Sequence, residues 1–107
     1  MYKPITVLAP FRLAEGVSEA DLLNGSDTFQ AQFVDKEPGV LRRELVAKED
    51  GGYLDIVQFR SQEDALKIME KEKTCSICHQ FFALLAMDDS SEAESGMSFY
   101  STLAIYE

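Results

Sequence analysis

Ile5, Val7, Ala9 and Phe11 alternate with Thr6, Leu8, Pro10 and Arg12. That is the two-residue period of a strand, here with both faces partly apolar. Gly16 breaks the pattern. Ser18 follows as an N-cap with Asp21 three residues on, close to a capping box. Leu22, Phe29, Phe33 and Val34 make a helical stripe out to Lys36. Gly25 and Ser26 weaken the middle of this helix, glycine costing about 1 kcal/mol relative to alanine. Pro38-Gly39 ends it. Val40 to Lys48 and Tyr53 to Arg60 read as two strands joined by Glu49-Asp50-Gly51-Gly52, a tight turn in which glycine supplies the positive φ. Ser61-Gln62-Glu63-Asp64 is a second N-cap with acids in the first turn. Ala65, Ile68, Met69 and Glu72 carry that helix forward. Thr74 marks a break, and Ile77, Phe81, Phe82, Leu84 and Leu85 continue helically. Asp88 to Gly96 is an acidic loop, and Phe99 to Tyr106 is the last strand.

The order strand–helix–strand–strand–helix–strand predicts an α+β fold, ferredoxin-like βαββαβ, with a four-stranded antiparallel sheet and helices on one face. The other face is not polar, as a solvated antiparallel sheet requires. Tyr53, Val57 and Phe59 oppose Leu54 and Ile56. Phe99, Leu103 and Ile105 oppose Tyr100, Ala104 and Tyr106. Two apolar faces with a single helical layer call for a second copy on the open face, most simply a symmetric homodimer.

The chain of 107 residues is read as one domain, 1–107. Its net charge of −9, with no Lys or Arg after Lys73, disfavours a polyanionic partner such as nucleic acid. No apolar run approaches the roughly 20 residues of a membrane span. Met1-Tyr2-Lys3-Pro4 leads straight into a strand without the marks of a signal peptide, so a cytoplasmic location with reduced thiols is expected.

Pro38-Gly39-Val40-Leu41, the run Leu54-Asp55-Ile56-Val57-Gln58-Phe59-Arg60-Ser61-Gln62-Glu63-Asp64-Ala65, and Cys78-His79-Gln80-Phe81-Phe82-Ala83-Leu84-Leu85 resemble the antibiotic-biosynthesis-monooxygenase-like branch of the dimeric α/β barrel superfamily. The resemblance implies a pocket in each monomer between sheet and helices, and dimerisation through the helix-free sheet face. Members include cofactor-independent oxygenases of polycyclic aromatics, haem-degrading monooxygenases and stress-response barrels. In haem-degrading members an Asn, a Trp and a His carry the chemistry. The corresponding positions here hold Ala9, Phe59 and His79, so only the His is kept.

Asp55 stands within an apolar strand. In the pocket it would be desolvated, its pKa raised unless a base pairs with it, and Arg42 or Arg43 on the neighbouring strand can supply that base. A cross-strand Asp–Arg pair is the commoner use of such residues; proton acceptance from a substrate is the functional one. Tyr53, Tyr100, Tyr106, Phe59, Phe81 and Phe82 offer aromatic surface for a flat ligand, or else core and dimer seam. Asn24, within the first helix, faces solvent or a ligand.

Cys75-Ser76-Ile77-Cys78-His79 matches the covalent haem attachment pattern letter for letter. That chemistry needs maturation outside the cytoplasm. A metal site has three donors where structural zinc takes four. Thiol redox chemistry expects the Cys-x-x-Cys to open a helix after a strand. The remaining alternative is a packed cysteine beside a rim histidine.

The expectation that results is a cofactor-independent monooxygenase-like protein with no metal, binding or oxidising a small aromatic or quinone-like molecule. Asp55 or His79 serves as base, and Arg43, Tyr53, Phe59 and Tyr100 bind substrate. A non-catalytic homodimeric ligand-binding or stress-related module is one alternative. A haem- or metal-binding protein through His79 and Cys75/Cys78 is the other.

Overall fold

The computed structural model describes residues 4–86 and 97–106. The expected acidic loop from Asp88 to Gly96 lies outside the described residues. Five strands and three helices run in the order β1 (Ile5–Leu13), α1 (Glu19–Gln32), β2 (Val40–Ala47), β3 (Tyr53–Phe59), α2 (Gln62–Glu72), α3 (Ser76–Phe82), β4 (Leu85–Ala86) and β5 (Ser98–Ser101). The sheet is antiparallel and runs β2-β3-β1, with the far edge of β1 shared between two short strands. β5 pairs with its first half, Ile5↔Ser101 to Leu8↔Ser98, and β4 with its end, Arg12↔Ala86 and Leu13↔Leu85.

Register decides which side chains meet the helices. Ile5, Val7, Ala9 and Phe11 lie opposite Phe59, Val57, Asp55 and Tyr53. In the next ladder Arg43 lies opposite Val57 and Leu45 opposite Asp55, after a bulge between Val40 and Arg42. Ile5, Val7, Phe11 and Phe59 are buried in one cluster with Leu22, Phe29, Phe33, Ala65, Ile68, Cys78 and Phe81. All three helices therefore cover a single face. The opposite face presents Leu8, Pro10, Val46, Leu54, Ile56 and Tyr100 without a helical layer, as the alternation at β1 and β3 predicts.

The caps work as the sequence indicates. Ser18 Oγ accepts from the Asp21 amide and the Asp21 carboxylate accepts from the Ser18 amide, both at 3.1 Å. Ser61 Oγ accepts from the Asp64 amide at 3.1 Å. Gly51 has φ +92° in the β2–β3 turn, where Gly52 N–H donates to Asp50 Oδ1 at 2.9 Å. Gly25 does not break α1. It sits where Leu84, two residues past α3, packs so close that an added Cβ would lie 2.5 Å from Leu84 Cδ1.

Three boundaries differ from expectation. The first helix stops at Gln32 and passes into a 3-10 turn, Val34–Lys36. Leu85 leaves the helix to pair with β1. The last strand ends at Ser101 rather than Tyr106: Thr102 N–H still reaches the Pro4 carbonyl at 3.0 Å, but Leu103 and Tyr106 are 95% and 91% exposed. Alternation persists there without a neighbouring strand among the described residues, and β-pairing needs the neighbour as much as the pattern.

Candidate active site

Between the sheet and the helices lies a cavity of about 790 Å³. Val7, Phe11, Val57 and Phe59 form its floor, and Phe29, Phe33, Ile68, Met69, Phe81 and Phe82 its walls and roof. Leu66, His79 and Met97 border it too. Five charged residues line this apolar space. Glu70 and Lys73 are exposed and pair with each other at 3.3 Å, while Arg43, Asp55 and Glu72 are more deeply set.

Arg43 and Asp55 are diagonal neighbours on β2 and β3, a spacing a long side chain bridges. Arg43 Nε donates to Asp55 Oδ1 and Oδ2 at 3.1 and 3.2 Å, and a terminal nitrogen donates to Oδ2 at 3.1 Å. The other terminal nitrogen donates to Gln30 Oε1 at 3.3 Å. The guanidinium carbon lies 5.0 Å and 5.3 Å from the ring centres of Phe29 and Phe81, themselves stacked at 4.7 Å. The two charged side chains are 6% and 13% exposed. Burial pushes the Asp55 carboxyl above its ordinary value, and the Arg43 charge and hydrogen bonds oppose that rise. A guanidinium has five N–H donors, and these contacts engage three, one per nitrogen. Two are not engaged by these contacts.

Glu72 closes α2 on the same side as Ala65 and Ile68. Desolvation, reinforced by the nearby Asp55 charge and moderated by Arg43, raises its carboxyl to about 7. It makes no hydrogen bond or ion pair among the described residues.

The six residues singled out from sequence are dispersed. Asp55, Arg43 and Phe59 line the cavity, and His79 stands at its edge. His79 is exposed, its Nε2 2.8 Å from the Lys73 carbonyl oxygen. A carbonyl only accepts, so Nε2 carries the proton and the basic lone pair is on Nδ1. Tyr53 shares the helix-side face but stacks on Phe11 at 5.7 Å and donates its hydroxyl to Glu19 at 2.9 Å. That hydrogen bond raises the phenol's pKa. Tyr100 pairs with Thr6 and so projects from the helix-free face, 52% exposed, away from the cavity. Asn24 is exposed and borders a smaller cleft with Asp21, Thr28 and Gln80.

Glu72 and Gln30 were not singled out from sequence. The signal for Glu72 was periodicity: Ala65, Ile68 and Glu72 fall on one face of a helix, which sets a carboxylate on the buried stripe. Cys75 immediately precedes α3 and is partly exposed, while Cys78 is buried one turn on. The Cys-x-x-Cys therefore does open a helix, though after a helix rather than a strand. No three His, Cys, Asp or Glu side chains are grouped as a metal site requires among the described residues. No described helix is long and apolar enough to cross a membrane.

No protein-family model matches the chain, and no curated protein sequence matches it. Solved structures do. SnoaB, a cofactor-independent oxygenase from Streptomyces nogalater, superposes with a TM-score of 0.71 at 13% identity, over 96% of each chain. A provisionally assigned antibiotic biosynthesis monooxygenase from Chloroflexus aurantiacus gives 0.65 at 12% identity over 97% of each. A similarly assigned protein from Caulobacter crescentus gives 0.62 at 15% identity, covering 98% of this chain and 92% of that one. The chain thus shares the ferredoxin-like α+β fold of these structures.

Proposed function

We propose that the cavity binds a flat, acidic aromatic or quinone-like molecule and that the protein oxidises it with molecular oxygen without a cofactor. The observation that carries this is the combination in one apolar cavity of a near-neutral carboxyl, Glu72, and a charge-balanced Arg43–Asp55 pair with two N–H donors to spare. A general base works best when its pKa lies near ambient pH. Glu72 takes a proton from the substrate's acidic carbon or hydroxyl. The negative charge moves from Glu72 to the ring, where the remaining Arg43 donors and the faces of Phe29 and Phe81 receive it. The electron-rich anion reduces oxygen itself. A ring CH₂ becomes C=O, and the second oxygen atom leaves as water with the two hydrogens of that carbon.

Asp55 in this scheme orients Arg43 rather than accepting the proton, since two guanidinium nitrogens already occupy its oxygens. His79 Nδ1 provides a second acceptor at the cavity edge, and Phe59 packs against the ring. The fold shared with SnoaB supports the reaction class. The uncovered apolar residues Leu8, Val46, Leu54 and Ile56 support a homodimer closed through the sheet face, and the protein is assigned to the cytoplasm.

The test is oxygen uptake with a panel of anthrones, naphthols and hydroquinones, alongside quenching of tyrosine fluorescence as a measure of binding. Glu72→Gln is expected to lower the rate by about 10²-fold or more with little change in binding. Uptake unchanged in Glu72→Gln, or no saturable binding of any flat aromatic, overturns the assignment.

A further inference from the structure

The chemistry above uses neither of the chain's two cysteines. Cys75 is partly exposed; Cys78, three residues later, is fully buried against the core. Ideal helical geometry separates Cα atoms three residues apart by about 5 Å, inside the roughly 4.4–6.8 Å range that a disulfide spans. The Cys78 thiol and the backbone amides of Cys78 and Ile77 lie near enough to the Cys75 sulfur to favour its thiolate. The Glu72 carboxyl is close enough to act electrostatically on both sulfurs.

These positions give the two thiols different reactivities. The donors around Cys75 hold its thiol below the ordinary value. Burial pushes the Cys78 thiol well above it. An external reagent meets Cys75 first, and Cys78 can reach only what becomes attached to its neighbour. A metal explains the pair less well, because among the described residues no three His, Cys, Asp or Glu side chains are grouped as a metal site requires.

We propose that Cys75 and Cys78 form a reversible dithiol–disulfide site that exchanges with a low-molecular-weight disulfide, Cys75 attacking and Cys78 resolving. The Cys75 thiolate attacks one sulfur of the small disulfide. A mixed disulfide forms and the first small thiolate leaves. Cys78 then gives its proton to the Glu72 carboxylate and attacks the Cys75 sulfur. The mixed disulfide breaks, the Cys75–Cys78 bond forms, and the second small thiolate leaves and is protonated. Two protein thiols lose two electrons, and the small disulfide gains them as two thiols. The new bond ties the first turn of α3, the helix that carries His79, Phe81 and Phe82 to the cavity. The site does not depend on which molecule the cavity holds.

The full-length protein, reduced and then exposed to excess oxidised glutathione, is alkylated and weighed intact. Wild type is expected to lose two hydrogens and both alkylatable thiols, without a lasting glutathione adduct. Cys78→Ala is expected to accumulate one adduct, on Cys75, and Cys75→Ser none. Glu72→Gln slows the resolving step, so the adduct persists transiently. Cys75 should also alkylate at a lower pH than free cysteine, a readout that a merely structural thiol would not give. Wild type that keeps both thiols, or that keeps a stable adduct, overturns the proposal. Should Cys78→Ala not fold, the wild-type mass alone decides.

Discussion

Replacing Arg43 by Met removes the partner of a carboxylate that is only 13% exposed. Two routes give the cost. Unit charges about 4 Å apart attract by about 4 kcal/mol at the effective dielectric of about 20 that suits such sites. Alternatively, the stranded Asp55 escapes by protonating. Neutralising a carboxyl of ordinary pKa about 3.9 at pH 7 costs about 4 kcal/mol, at 1.36 kcal/mol per pH unit. Both agree with the roughly 3–5 kcal/mol lost when one member of a buried pair is removed. The sign of the pH dependence follows. With Arg43 gone, the folded pKa of Asp55 rises far above the unfolded one. The variant's deficit is therefore greatest at neutral pH and fades as pH falls toward the unfolded value, to about 1–2 kcal/mol at pH 5. Urea unfolding of wild type and of Arg43→Met at pH 5 and pH 7 measures this. The double variant Arg43→Met/Asp55→Leu, with no charge left to strand, should recover most of the loss. A pH-independent deficit, or one below about 1 kcal/mol at pH 7, would falsify the buried-pair argument.

Other predictions test separate parts of the structure. Glu72, with its folded carboxyl at about 7 against an ordinary 4.5, contributes stability that is complete below pH 4.5 and lost as pH rises through 7. Glu72→Gln should accordingly gain on wild type by about 3 kcal/mol between those limits in pH-dependent unfolding, and parallel curves count against it. Gly39→Ala forces a Cβ to 2.9 Å from Asp64 Cβ, an atom fixed to the α2 backbone that no rotamer change can move. A loss of about 1–3 kcal/mol is expected from thermal melts, and no loss means that α2 shifts freely. Ile56→Lys, on the helix-free face, should leave the monomer folded and abolish self-association in sedimentation velocity. An unchanged sedimentation coefficient removes that face from the interface.

Local chemistry was legible wherever a residue's neighbours along the chain suffice. Ser18 with Asp21, Ser61 with Asp64, and Asp50-Gly51-Gly52 specify caps and a turn through contacts within three residues, and they fold as the sequence indicates. Two-residue alternation in β1 and β3 set Val7, Val57 and Phe59 on one face and Leu8, Leu54 and Ile56 on the other. Helical periodicity gave α1 its Leu22–Phe29–Phe33 stripe. Asp55 stood out because a carboxylate in an apolar strand needs an explanation wherever the strand goes.

Long-range register decided the rest. Arg42 and Arg43 are equivalent candidates along the chain. Pairing of β2 with β3, with its bulge at Val40/Arg42, turns Arg43 inward to Asp55 and leaves Arg42 beside Glu44 at 2.8 Å in solvent. Tyr53 and Tyr100 were alike as aromatics on strands, until pairing with β1 set one on the helix side and the other outside. The alternation from Leu103 to Tyr106 had no power to make a strand without a paired edge. Glu72 became a near-neutral carboxyl chiefly because packing buries the last turn of α2, with Asp55 from β3 adding to the rise and Arg43 from β2 opposing it. Capping, turns and amphipathic faces are written in the sequence because their energies come from near neighbours. Which charged groups share one dry cavity is decided by the tertiary structure, because desolvation and Coulomb attraction depend on distance in space.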